Sequence, residues 1–222
     1  LLPLRQDGRN WARIEADHHT GALFDVGAPG EWDELFIGTP QVLAVGPRDM
    51  RMYYHSWSKA AGRFLVGLAT SPDGFRWSKQ GVVFDPAGGG AGEHDALGAG
   101  AACVVRDVDN RQYLMFYEAV ARDGSRSIGL AVSKDGLRDW KRCPRPVFTP
   151  AQGDDAWDAG SVGSPCAVSM SAGKWRLYYC GRRVHGGGAG PWEGIGLARS
   201  VDGPSFEGVP TTFTRYSPSQ PQ

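Results

Sequence analysis

The chain has 222 residues, with 24 basic and 24 acidic side chains and a formal net charge of zero. No Lys/Arg block stands out, which argues against nucleic acid or an anionic membrane as its partner, and no apolar run approaches the roughly 18 residues that a membrane span requires. Glycine is abundant (32 residues) and aromatics make up 11% of the chain, a composition suited to tight turns and all-β packing.

In chain order, the first marker is Asp7-Gly8-Arg9-Asn10-Trp11, closed by the apolar pair Leu23-Phe24. The segment before it lacks the charged and apolar regions of a signal peptide, and the sequence does not fix a compartment. A complete unit follows. Trp32-Asp33 leads into Gly38-Thr39-Pro40-Gln41-Val42-Leu43, then come Met52-Tyr53-Tyr54-His55, Gly67-Leu68-Ala69-Thr70-Ser71, the turn Asp73-Gly74-Phe75-Arg76-Trp77, and the closing pair Val83-Phe84. The second unit runs from His94-Asp95 through Gly100-Ala101-Ala102-Cys103, Met115-Phe116-Tyr117-Glu118 and Gly129-Leu130-Ala131-Val132-Ser133. It ends on Asp135-Gly136-Leu137-Arg138-Asp139-Trp140 and Val147-Phe148. The third has Trp157-Asp158, Gly163-Ser164-Pro165-Cys166, Leu177-Tyr178-Tyr179-Cys180, Gly196-Leu197-Ala198-Arg199-Ser200, Asp202-Gly203-Pro204-Ser205-Phe206 and Thr212-Phe213.

The turn aspartates are 66, 62 and 67 residues apart, and the aspartates that open the units are 62 and 63 apart. A fixed period of this kind marks a repeat architecture. Four short strands per unit describe a propeller blade, so an all-β propeller is expected. Asp-Gly between apolar strands predicts a tight type I′ hairpin. Blades are expected at about residues 28–88, 89–152 and 153–216 of one domain spanning 1–222. That is about three and a half blades, fewer than the four to eight of closed propellers, so the chain is expected to be a piece of a longer one.

Trp-Asp, Gly-Ser/Thr-Pro-x-Val, Met-Tyr-Tyr and Gly-Leu-Ala-x-Ser-x-Asp-Gly-x-x-Trp together resemble the five-bladed propeller superfamily of arabinanases, levansucrases and invertases. It includes glycoside hydrolase families 43, 32 and 68, and is similar to family 130. The resemblance implies a glycosidase-like protein that hydrolyses or phosphorolyses an oligosaccharide through paired carboxylates, with no cofactor and no metal. One carboxyl protonates the leaving oxygen while the other activates water, about 6.5–9.5 Å away in inverting enzymes. By the resemblance Asp33 maps to the base and Asp95 to the carboxylate that tunes the acid. Asp158 falls at the third position, where Ser161-Val162-Gly163-Ser164-Pro165 stands in place of a Glu-Gly-Pro acid motif.

The residues themselves leave two readings of these aspartates. They form a shared ring of acids around a pocket, or each caps backbone amides at the entrance to its own blade. Departures from the repeat carry more information. His55, Glu118 and Cys180 occupy one equivalent position, and Glu118 is a candidate for the missing acid, since a Glu in an apolar strand must be paired or exposed. His94 replaces a Trp and stands beside Glu93 and Asp95. Trp32 and Trp192 are candidates for sugar stacking, and Arg182 for holding a carboxylate or phosphate. Arg182 precedes a glycine-rich loop, Val184 to Glu193. Cys103, Cys143, Cys166 and Cys180 form no C-x-x-C pair, and Cys103 and Cys166 read as buried, inert thiols. The alternative function is a non-catalytic propeller that binds carbohydrate or protein.

Overall fold

The computed structural model describes residues 21–86, 94–153, 155–170, 173–184, 191–200 and 205–217. The first Asp-Gly turn, the Asp202-Gly203-Pro204 turn, Glu93 and the 185–190 stretch of the glycine-rich loop lie outside them. The chain is all-β, a partial β-propeller. Among the described residues no helix is formed, and none is long and apolar enough to cross a membrane.

Three antiparallel four-stranded sheets follow in sequence. The first contains β1 (Gly38–Gly46), β2 (Asp49–Ser58), β3 (Arg63–Ser71) and β4 (Ser78–Phe84). The second contains β5 (Ala99–Asp107), β6 (Gln112–Val120), β7 (Arg126–Ser133) and β8 (Lys141–Arg142). The third is built from β9 (Ser161–Ser169), β10 (Trp175–Arg182), β11 (Gly194–Ser200) and, after a small hairpin of β12 (Ser205–Phe206) and β13 (Val209–Pro210), β14 (Phe213–Arg215). These are the three blades, and β1, β5 and β9 are their first strands.

The first strand of every blade is bulged. Two residues on it oppose one on its partner between Gly38 and Gln41, between Ala99 and Ala102, and between Gly163 and Cys166. Thr39 and Ser164 sit within two of these bulges at φ 45° and 46°, a left-handed conformation uncommon for residues with a side chain. Bulges re-aim side chains and recur beside functional sites.

The core lies between blades. One cluster joins Tyr53, Val66 and Leu68 of the first blade to Val104, Met115 and Tyr117 of the second. Another joins Leu114, Phe116, Ile128 and Leu130 of the second to Val162, Leu177, Tyr179 and Phe213 of the third. Each such large side chain, fully buried, stabilises the fold by roughly 1.5–3 kcal/mol. Polar contacts reinforce the seams. The Gln41 side chain exchanges two 3.1 Å hydrogen bonds with the backbone of Val104, and the Tyr53 hydroxyl donates to Gly136 O at 2.7 Å.

The Asp-Gly turns are wider than the expected two-residue type I′ loops. Gly74 and Gly136 have positive φ, as does Asp139 late in the second turn (φ 53°), but Asp73 and Asp135 do not. The aspartates instead accept from following amides, Asp73 from Phe75 and Arg76 at 2.8 and 2.9 Å, and Asp135 from Leu137 and Arg138 at 2.8 and 3.1 Å. Capping two amides satisfies a longer loop with Asp73 and Asp135 themselves outside the left-handed region. A two-residue loop with both residues at positive φ does occur, at Glu207-Gly208 between β12 and β13.

The thiols also differ from expectation. Cys103 is buried, but Cys166 is exposed, because alternate residues at the end of β9 face away from the core. Burial pushes the Cys103 thiol up to about 11.

Candidate active site

Each repeated aspartate is the centre of a clamp. Asp33 Oδ2 accepts from the Tyr54 hydroxyl at 3.1 Å and from Lys79 Nζ at 2.7 Å. Asp95 accepts from the Tyr117 hydroxyl at 2.8 Å and from Arg142 through two nitrogens, at 2.6 and 2.9 Å. Asp158 Oδ2 accepts from the Tyr179 hydroxyl at 2.9 Å and from Arg215 Nε at 2.7 Å. All three carboxylates are 1–2% exposed. The tyrosine comes from the second strand of the same blade, and the base from the fourth. Burial, and then the neighbouring carboxylate, raises all three phenols well above their usual range or, for Tyr179, burial first and then its bond to Asp158, so they remain donors.

The clamp explains two repeated sequence features. The glycine of Gly-Leu-Ala leaves room for the tyrosine to lie across β3, β7 or β11: a Cβ on Gly129 or Gly196 would collide with the ring of Tyr117 or Tyr179. The closing phenylalanine of one blade packs on the clamp tyrosine of the next, Phe84 on Tyr117 at 5.0 Å and Phe148 on Tyr179 at 4.6 Å between centroids. Trp32 and Trp157 belong to this packing too, 5.4 Å from Tyr54 and 5.8 Å from Tyr179. His94 takes the Trp position in the second blade, with Nε2 3.5 Å from Asp95 Oδ2.

The residues that break the repeat meet elsewhere. The glycine five residues after each clamp aspartate lies beside position 55, 118 or 180 and leaves space for its side chain. A Cβ on Gly38 would sit 3.1 Å from the His55 ring, one on Gly100 would sit 3.3 Å from Glu118 Oε1, and one on Gly163 would collide with Glu118 Oε2. Glu118 thus occupies a slot between the first strands of the second and third blades. Arg126 Nη1 pairs with its Oε1, and the amide of Ser164 donates to its Oε2 at 3.0 Å.

The other two variable positions face the same charges. Burial pushes the His55 ring below its usual range; a bond with the Gly38 backbone opposes this and the Arg126 charge adds to it. The ring also shares a 2.6 Å hydrogen bond between Nδ1 and the Thr39 hydroxyl. Burial raises the Cys180 thiol; a bond with the Ser164 side chain opposes the shift and the Glu118 charge reinforces it. The bulge residues Thr39 and Ser164 therefore serve the variable positions of their own blades.

Next to this cluster is a cavity of about 290 Å³ at the seam of the second and third blades. Val120, Ser125 and Arg126 line it from one side, and Gly160, Ser161 and Arg182 from the other. Arg182 is buried and donates to Ser161 Oγ at 3.2 Å. The guanidinium carbons of Arg126 and Arg182 lie 5.9 and 5.7 Å from the centroid of one ring, Trp192.

No protein-family model matches the sequence, and no curated protein matches it. Solved structures do. A structure from work on the mannoside phosphorylase family 130, described as containing glycoside hydrolases that target β-1,2-mannosidic linkages in Candida mannan, is 18% identical with a TM-score of 0.62. The match covers 95% of this chain and 60% of that one. At such identities the likeness shows the fold, a partial β-propeller. Fructan 1-exohydrolase IIa from Cichorium intybus is 21% identical with a TM-score of 0.61, over 86% of this chain and 33% of its own. A glycosyl hydrolase from Bacteroides ovatus is 21% identical with a TM-score of 0.61, over 87% and 55%. The chain thus spans between a third and three-fifths of the length of these structures.

Of the site residues expected from sequence, Glu118, Arg182 and Trp192 gather around the seam, while His55 stays on β2 of the first blade and only feels the Arg126 charge. Asp33, Asp95, Asp158, Trp32 and His94 lie at the clamps. Sequence reasoning missed Arg126, which opens β7 like any strand residue, and Ser164, which entered only within the stretch that stands in place of a Glu-Gly-Pro motif. It also missed the clamp bases, although Trp77-Ser78-Lys79 and Trp140-Lys141-Arg142 place a cation two residues after the turn tryptophan in two blades.

Proposed function

We propose that the chain is a glycosidase-like propeller that engages a carbohydrate at the seam of its second and third blades, with Glu118 as the carboxylate that meets the glycosidic bond. One observation carries this reading. Among the described buried carboxylates, Glu118 reaches out of its own sheet to the first strand of the next blade, while Asp33, Asp95 and Asp158 are engaged by a tyrosine and a base of their own blades. We assign those three to the scaffold. Donors face both oxygens of Glu118, which suits a carboxylate that orients water or a sugar hydroxyl better than one that donates a proton. His55, with its pKa lowered by burial, is the nearby group suited to exchange protons, and Trp192 offers an aromatic face for a sugar ring.

The likeness to glycoside hydrolases and phosphorylases supports a carbohydrate as the substrate class. The test is sugar release from a panel of aryl glycosides and plant oligosaccharides, with and without inorganic phosphate. Glu118→Gln is expected to lower turnover by about 10²–10⁴-fold, the range for a positioned acid or base. Turnover only with phosphate would identify phosphorolysis.

A second reading, non-catalytic carbohydrate binding, is favoured by the clamped state of the three aspartates, which leaves Glu118 without an assigned partner carboxyl. Calorimetric sugar binding with no turnover would select it. Neither binding nor turnover with any sugar would overturn both readings.

A further inference from the structure

Resting on the carbohydrate reading, we infer that the seam cavity is built for an acidic sugar, with Arg126 and Arg182 receiving the carboxylate of a uronic acid residue. The volume of about 290 Å³ sits at the small end of ligand pockets, roughly 300–1,000 Å³, which suits one monosaccharide ring. Two guanidinium groups border it, one from each blade. A guanidinium presents a planar fork of donors that matches a carboxylate through two parallel hydrogen bonds, whereas neutral sugar hydroxyls use that geometry poorly.

The forks are held in place before any ligand arrives. Trp192 lies within 6 Å of both guanidinium carbons, an arrangement in which the ring faces favour the cations. Ser161 fixes Arg182, and Glu118 fixes one end of Arg126. Arg126 Nε is buried with no acceptor among the described residues, so this donor remains to be matched. Ser125 and Ser161 add hydroxyls to the lining.

One acid also lines the cavity. Asp123 Oδ1 accepts from the Ser125 amide and hydroxyl at 2.9 and 2.7 Å, which ties it into its own turn. Its charge opposes an incoming carboxylate, and this gives the inference a second handle. Because Arg126 touches Glu118 and borders the cavity, it would stand between the sugar carboxylate and the reacting carboxylate and screen one from the other.

The experiment is calorimetric titration of the whole chain with methyl glycosides of glucuronic and galacturonic acid, with their methyl esters, and with methyl glucoside and galactoside. The ester keeps shape and removes charge. The acids are expected to bind about tenfold or more tightly than the esters, as charge-assisted hydrogen bonds require, and the preference should shrink as salt is raised. Arg182→Gln should abolish the preference. Since Arg182 is buried, exposed Asp123→Asn is the second variant, expected to widen the preference for acid over ester about two- to threefold, in line with a weak exposed-charge interaction. Equal, measurable affinity for acids and esters overturns the inference and leaves the carbohydrate reading intact. Tighter binding of inorganic phosphate than of either acid also overturns it, in favour of a free oxyanion. No affinity for any sugar overturns both.

Discussion

Tyr117 and Glu118 are neighbours on β6 and, by the alternation of a strand, point to opposite faces of the sheet. Tyr117 reaches Asp95 and Arg142 in a clamp that recurs in every described blade. Glu118 reaches Arg126 and Ser164 in an arrangement found once among the described residues. The same division separates Tyr54 from His55 and Tyr179 from Cys180. One face of each second strand repeats because it joins its blade together and receives the phenylalanine of the preceding blade. The other face varies, and in the second and third blades it also carries Val120 and Arg182, which line the cavity. Two equally buried carboxylates thus acquire different meanings from one step in register.

The largest effect that would test this division is Asp95→Ala. It strands Arg142 and the Tyr117 hydroxyl in the interior, and about 3–5 kcal/mol of stability should be lost, the range for breaking a buried ion pair from one side, as measured by urea unfolding. If the variant were fully stable and only sugar turnover failed, Asp95 would belong with Glu118 instead. A smaller loss of about 1–3 kcal/mol is expected for Gly129→Ala, an overpacking cost, because the new methyl group meets the Tyr117 ring.

The variable face should instead respond to pH. Burial holds the folded His55 pKa below its ordinary value, so the unfolded chain binds the proton more readily. The stability from His55 is therefore complete above its unfolded pKa of about 6.5 and declines as pH falls from there toward the folded value. His55→Gln should flatten that acid limb in urea titrations between pH 7 and 5. At the smallest scale, alkylation at pH 8 followed by mass spectrometry should label exposed Cys166 first. Cys103, buried and raised to about 11, should react only on unfolding.

The repeat made the fold legible. Strand order and the division into constant and variable positions follow from aligning Asp33, Asp95 and Asp158 with the glycines five residues later. The role of those aspartates was not legible, because a repeated acid fits a ring of catalysts as well as a set of caps. The deciding partners, Lys79, Arg142 and Arg215, lie 46, 47 and 57 residues downstream, and only the folded sheet shows them meeting. Glu118 stood out as an acid in an apolar strand, whereas Arg126 had no sequence signal at all. The width of the Asp-Gly turns was misread because Asp was credited with a left-handed conformation, when its carboxylate was capping two amides.

The central claim is that Glu118 carries function while the clamp aspartates carry the fold. Its most direct test is sugar binding and turnover by Glu118→Gln, with the urea midpoint measured on the same preparation. Turnover, or sugar affinity if the protein is purely a binder, should fall at least about tenfold while the midpoint changes little. Unchanged sugar binding and turnover together with a collapsed midpoint would show that Glu118 is another piece of scaffold and would contradict the account.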